Sequence, residues 1–305
     1  MTIRDEDRPP IHGGRGLAVE WLQRREYLPA GLADKVALSV VYSEQSFPTG
    51  VDELRDDYWP TGAEVSWLGG PAGSTSPEQW PRTRRGHPLA HVASFDLRSA
   101  HGSLDAVART HWPVGSEGLP DHGILQVFHD LATHGHDPAD AETGAWLVRW
   151  SPEPDRALLT DGPADLDLPS RPCQVMLPYA SFAIPSSADA IGAPAAVFDA
   201  TEAAQDHLQR MWSWQRTTDP SAPPVPVTHL YGHAQHGALL PRHEILPACL
   251  PLRDSGDDHR LLIEIESWTT LAGWFGDAGT LQVWMRSSDL TAHAFNHAWC
   301  IIRTD

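Results

Sequence analysis

Three imidazoles fall within eight residues in the run His229-Leu230-Tyr231-Gly232-His233-Ala234-Gln235-His236. Neutral imidazole is a common transition-metal ligand, and three of them would hold Zn²⁺ with one position open for water. That arrangement would support metal-assisted hydrolysis, with a carboxylate such as Glu264 or Asp277 as its acid–base partner. Against it, Gly232 sits inside the spacing, Pro226 and Pro241 bracket the region, and no H-E-x-x-H pattern occurs. With 17 histidines in the chain, local clustering is expected, so ordinary hydrogen-bonding histidines are the weightier reading. No cofactor is therefore expected, and zinc on His229, His233 and His236 is the exception to test. His134 and His136 form a weaker pair of the same kind.

Glu264 and Glu266 share one face of a strand and could pair as acid and base, with Asp277 in reach if the hairpin closes. Alternation alone explains both carboxylates, however, and a solvated strand face is favoured. Cys173, Cys249 and Cys300 lie in apolar surroundings without C-x-x-C spacing, which reads as buried, inert thiols. No G-x-S-x-G, P-loop or G-x-G-x-x-G opening a helix is present. No catalytic set is assigned.

Thirteen tryptophans are many. Trp59, Trp67, Trp80 and Trp112 lie in or beside irregular Gly/Pro-rich segments, where a ring serves either as a lid over the core or as a platform for a sugar or a partner protein. Trp146, Trp284 and Trp299 fall on strands and are expected in the core.

These residues must be positioned by β structure, because a repeat organises the chain. Asp121-His122-Gly123-Ile124-Leu125-Gln126-Val127-Phe128 is echoed by Asp277-Ala278-Gly279-Thr280-Leu281-Gln282-Val283-Trp284. In both copies the Gly is expected to supply a positive φ and the Asp to bond the backbone of a turn. Leu and Val then enter the core on one face, with Gln and the aromatic on the other. Features shared by two halves are most simply explained by folding, so Asp121 and Asp277 read first as turn residues.

Further strands are expected at Val36–Tyr42, Leu89–Leu97, Ile124–His129, Trp146–Trp150, Gln174–Leu177, Leu261–Ser267, Thr280–Arg286 and Ala298–Arg303. Ile245–Leu252, interrupted by Pro247 and Pro251, reads as an edge strand. A short helix is expected at Leu17–Leu28. A longer one is expected over Thr201–Gln215, with Asp199 as its cap and Glu202 completing a capping box. The organisation is one globular unit over residues 1–305: an N-terminal helix and strand to residue 50, a first β half at 51–160 and a second at 161–305. The proline-rich loop Ser151–Pro172 marks the change between halves.

The chain carries 22 basic and 40 acidic residues, a net charge of −18, with 13 and 21 before Ser151 and 9 and 19 after it. Acidity spread over both halves argues against binding nucleic acid or an anionic membrane and leaves a basic partner protein open. The absence of an apolar leader or an 18-residue apolar run, together with three unpaired-looking cysteines, points to the cytoplasm.

Several motifs carry a family resemblance: Gly69-Gly70-Pro71, Trp80-Pro81, Gly86-His87-Pro88-Leu89, Asp96-Leu97 and Leu119-Pro120-x-x-Gly123-x-Leu125 in the first half. In the second half they are His229-x-x-Gly232, Gln235, Trp274-x-Gly276-Asp277-x-Gly279-x-Leu281 and Asp289-Leu290. In this order they resemble the YwqG-like family of bacterial proteins, a domain of unknown function. Ser94 stands where the family usually has Gln, and Phe275 interrupts its Trp-Gly-Asp. The resemblance implies an α+β fold of mainly antiparallel curved β-sheets, here in two pseudo-duplicated halves with a few peripheral helices. It implies no agreed catalytic residues. Some members lie near secreted-toxin loci, which associates the family with immunity functions. The reading that results is a noncatalytic protein-binding module, with toxin neutralisation as one form of it. A metal-assisted hydrolase at His229–His236 and a carbohydrate-binding module using loop tryptophans are the alternatives. Candidate binding residues are Trp80, His229, His233, Gln235, Glu264 and Asp277.

Overall fold

The computed structural model describes residues 19–20, 22–23, 36–44, 50–103, 118–185, 195–212, 227–235, 241–277 and 279–304. Its strands, in chain order, are β1 (Ala37–Glu44), β2 (Ser66–Gly69), β3 (Ala72–Gly73), β4 (Ala90–Asp96), β5 (Ile124–His129), β6 (Trp146–Ser151), β7 (Leu159–Thr160), β8 (Cys173–Ala183), β9 (His229–Gly232), β10 (His259–Glu266), β11 (Thr280–Arg286) and β12 (Trp299–Arg303). Ten of them make one curved, nearly closed sheet in the order β12-β11-β10-β9-β1-β8-β2-β4-β5-β6, while β3 pairs with β7 alone. Every pairing in the large sheet is antiparallel. With its helices segregated from a sheet of this kind, the fold is α+β.

The sheet runs unbroken across the 151–172 loop, because β8 pairs with β1 on one side and with β2 on the other. Sequence reading expects β8 to stop at Leu177, just before Pro178. Instead the strand continues to Ala183, since β2 covers only Cys173–Met176 and beyond that point β1 alone flanks it. Proline is tolerated where a strand has one free side.

The sheet's two ends, β6 and β12, are joined by side chains and by the 129–145 connection. Ile302 N–H donates to His134 O (3.0 Å). Trp146 Nε1–H donates to Ala298 O (3.0 Å), and the Trp146 and Trp299 rings meet edge to face at 4.9 Å. Gly135 has φ 73°, and a side chain there would fall on the Cys300 carbonyl oxygen. Only glycine permits that approach at that φ. The closure covers two strand edges that would otherwise present unpaired backbone groups.

The repeated segments form two hairpins of the same build. In β4–β5, Ser94 faces Gln126, and the register slips between His91 and Ala93. In β10–β11, Glu264 faces Gln282, and the slip lies between Leu261 and Ile263, three residues before the facing pair in both cases. Leu125, Val127, Leu281 and Val283 enter the largest apolar cluster, as alternation dictates. Phe128 and Trp284 point the other way, yet each is buried in a smaller cluster of its own. Both faces of these hairpins are therefore covered. The expected positive φ is found at Gly123 (82°) but not at Gly279. At both glycines an added Cβ would crowd the carbonyl oxygen of the next strand, Ser151 for Gly123 and Arg303 for Gly279. Close approach, not a shared turn conformation, is what the two positions have in common.

Three local expectations are corrected. The long helix is Ala195–Trp212, so Asp199 lies inside it and caps nothing; Ala195 and Ala196, strong helix formers, extend it N-terminally. Thr201 bonds back to Val197 O (2.8 Å), as a helix-interior hydroxyl can. Ala204, Leu208 and Trp212 on this helix are buried, while the Met211 side chain and Gln215 lie outside the described part. Second, Ile245–Leu252 is not an edge strand: Pro241–Ile245 and Leu246–Cys249 are helical, with Pro247 in the first turn, where its missing N–H costs nothing. Third, the face of β10 bearing Glu264 and Glu266 is not solvated; they are 2% and 1% exposed. Of Leu17–Leu28, residues 19, 20, 22 and 23 are helical; Met1–Gly16 and Trp112 lie outside the described residues.

Candidate functional site

Two buried polar clusters sit at corresponding places on the two hairpins. In the second half, β9 brings His229 opposite Glu264. His229 Nε2–H donates to the His233 carbonyl (3.1 Å), so the proton is on Nε2 and Nδ1 accepts from Gln235 Nε2–H (2.6 Å). Gln235 N–H donates to Glu264 Oε2 (2.8 Å), and Gln282 Nε2–H donates to Glu264 Oε1 (2.9 Å). Gln282 Oε1 in turn accepts from Trp284 Nε1–H (3.1 Å). Gln209 of the long helix donates to Gln235 O (2.8 Å), and Trp212 packs 5.5 Å from the His229 ring. Burial pushes the His229 pKa down to about 4, and its backbone carbonyl partners only partly offset that.

Sequence reading had joined His229, His233, Gln235 and Glu264 as candidates, and the structure does bring all four together. It does so by consuming their chemistry. Both ring nitrogens of His229 are engaged inside the protein, which leaves neither for a metal. Among the described residues no three His, Cys, Asp or Glu side chains gather as a ligand set. His236 lies outside those residues. Asp277 is exposed on the β10–β11 connection and joins no bond with this cluster. Glu266 ends its strand as a cap, accepting from Trp268 N–H (2.5 Å) and Thr269 N–H (3.2 Å).

In the first half the corresponding cluster is built on His91, Ser94, Gln126 and Arg149. His91 Nδ1–H donates to Gly69 O (2.9 Å), so Nε2 is the acceptor, and Ser94 Oγ–H donates to it (2.9 Å). Ser94 Oγ accepts from Gln126 Nε2–H (3.3 Å), which also donates to Gly73 O (3.0 Å). Arg149 on β6 donates to Gln126 Oε1 (2.5 Å) and to Thr75 Oγ1. Its guanidinium lies 5.7 Å over the Phe128 ring. Burial lowers the His91 pKa to about 4, with opposing contributions from the Gly69 and Gly70 carbonyls. A hydroxyl donating to a neutral imidazole is the start of a nucleophilic dyad. Ser94, however, is fully buried, and its oxygen is held on both sides.

Beside this cluster lies a cavity of about 160 Å³. Gly70, Pro71, Trp80 and His91 line it from the first half, Arg171 from the connection before β8, and Trp274 from the second half. Trp80 is 5% exposed, gives its indole N–H to Leu89 O (2.9 Å) and meets Phe128 edge to face at 5.7 Å. Trp59 and Trp67 are buried as lids, at 1% and 0% exposure. Of Trp59, Trp67 and Trp80, it is Trp80 that borders the cavity. Sequence reasoning missed His91, Arg149 and Arg171 as site residues. One histidine among 17 carries no local signal, although Gly69-Gly70-Pro71, Trp80 and Trp274 had stood out as motifs.

Cys249 and Cys300 are buried as expected, whereas Cys173 is only half-buried. Burial pushes Cys173 up to about 12 and also raises Cys249 and Cys300. Asp289, fully buried, is held by Arg253, by Arg286 (2.7 Å) and by His297 (3.1 Å). Burial alone would raise its pKa; these hydrogen bonds and the two guanidinium charges outweigh that and leave it lowered. Among the described residues no helix is long and apolar enough to cross a membrane.

The molecule thus falls into the class of curved, mainly antiparallel α+β sheet proteins whose polar residues are knotted beneath lids. A family profile for a domain of unknown function (DUF1963) matches residues 66–303, and the chain belongs to that family. Among curated proteins, none matches the chain.

Proposed function

We propose that this chain is a noncatalytic binding module for another protein, a basic one, acting in the cytoplasm. Toxin neutralisation is the form suggested by the YwqG-like resemblance. The observation that carries the reading is the buried His229–Gln235–Glu264–Gln282 network. Both ring nitrogens of His229 and both oxygens of Glu264 are occupied by hydrogen bonds within the protein, so these residues serve shape. What the surface then offers a partner is the charge of a chain with 40 acidic and 22 basic residues. Such a surface speeds and steers association with a cationic protein, and salt weakens it.

The test is to recover partners from source-cell extract on the immobilised protein and titrate each purified candidate by calorimetry at about 50 and about 300 mM salt. A basic partner whose affinity falls with salt is expected, bound equally by a folded His229→Gln variant. A substrate whose turnover stops in that variant would overturn the proposal, as would partners that bind without salt dependence.

A further inference from the structure

The lining of the 160 Å³ cavity combines apolar residues with charged ones. Trp80, Trp274, Leu166 and Leu168 make it apolar. Both indole N–H groups are already spoken for, Trp80 by Leu89 O and Trp274 by Ser170 Oγ (3.0 Å). A cavity of roughly 150 Å³ with apolar walls is large enough for a benzene ring.

Two charged side chains belong to the lining, Asp161 and Arg171. Arg55 grips Asp161 at both carboxylate oxygens, 2.9 Å each, so that charge is compensated. Arg171 gives one N–H to Leu166 O (3.0 Å) and has no carboxylate partner among the described residues. Its side chain is exposed. Asp167, between the two leucines in sequence, lies outside the lining. An uncompensated guanidinium at an apolar cavity, in a chain of net charge −18, is a local reversal of sign. A guanidinium fork with free N–H groups matches a carboxylate.

We infer that this cavity is a binding site for a small carboxylic acid with an aromatic or similarly compact apolar body. The body fills the space between Trp80 and Trp274, and the carboxylate faces Arg171. The site is independent of the proposed protein partner: neither reading requires the other.

The experiment uses the full chain and three probes followed by ligand-observed NMR: benzoate, benzyl alcohol, which keeps the ring without the charge, and acetate, which keeps the charge without the ring. Benzoate is expected to bind saturably at about millimolar concentration, and both truncated probes about tenfold more weakly or not at all. Arg171→Gln, a surface change that the fold tolerates, brings benzoate down to the level of benzyl alcohol. Leu168→Trp, which fills the cavity from a half-buried position, removes binding of both. Failure of benzoate to saturate would overturn the inference. So would equal binding of benzoate and benzyl alcohol, or benzoate binding that survives either substitution.

Discussion

The two hairpins, β4–β5 and β10–β11, hold the same frame and fill it differently. Each places a glutamine on its second strand, Gln126 or Gln282, opposite a polar residue three positions after a register slip. Each glutamine points its amide nitrogen at that residue, Ser94 or Glu264, and takes a donor on its oxygen, Arg149 or Trp284. The strand paired with the first strand of each hairpin, β2 or β9, ends alike as well, with positive φ at Gly69 and Gly70 and at Tyr231 and Gly232. The difference is one of charge type and cover. The first cluster contains a guanidinium and borders a cavity; the second contains a carboxyl group and is covered by the long helix. A frame common to both is a folding device, and the unshared cavity is the better place to seek a ligand.

The largest expected effect tests whether the two histidines are equivalent. His91 and His229 both have pKa values lowered from 6.5 to about 4 by burial. The unfolded chain then binds protons that the folded chain refuses, so stability is complete above pH 6.5 and is lost as pH falls toward 4. Each group contributes up to about 3 kcal/mol of that loss. Urea unfolding across this range should show the slope reduced equally in His91→Gln and His229→Gln. Unequal reductions would break the equivalence.

An intermediate effect is expected at the glutamines. Gln282→Leu removes the amide bonds to Glu264 and Trp284, two buried polar groups, and should cost about 2–3 kcal/mol in chemical denaturation. Gln126→Leu should cost less, about 1–2 kcal/mol, because Arg149 keeps Thr75 and Ser94 keeps His91. A larger loss at Gln126 would show that the guanidinium depends on its glutamine more than the carboxyl group does.

The smallest effect sharpens the comparison at the strand ends. Ser66 Oγ accepts Asp96 N–H at 2.9 Å, and Thr228 Oγ1 accepts Glu266 N–H at 3.4 Å. Ser66→Ala should cost about 1 kcal/mol, and the near-isosteric Thr228→Val less than that, read as shifts in the denaturation midpoint.

Strand positions were legible wherever alternation was long. Ile124–His129 and Thr280–Arg286 have the bounds their patterns predict. The four-residue strands β2 and β9 were not legible, because too few residues alternate to distinguish them from loop. The helix at Pro241–Cys249 was misread because a short apolar run with prolines carries no period of its own, and flanking context decides it. The meeting of His229, Gln235 and Glu264 could not be read as a network, since a strand pairing 35 residues apart brings His229 to Glu264.

The amino-acid order determined which residues share a strand face, since side chains alternate along an extended backbone whatever surrounds it. It likewise determined the overall acidity and the twin Gln-bearing hairpins. Tertiary structure alone decided what covers the second face of each hairpin. Closure of the sheet, the long helix and the loop lids bury Glu264, His229, His91 and Ser94, and burial turns titratable groups into neutral or fully bonded ones. Whether a polar side chain catalyses or merely holds the fold depends on access to water, and access is a property of neighbours distant in sequence.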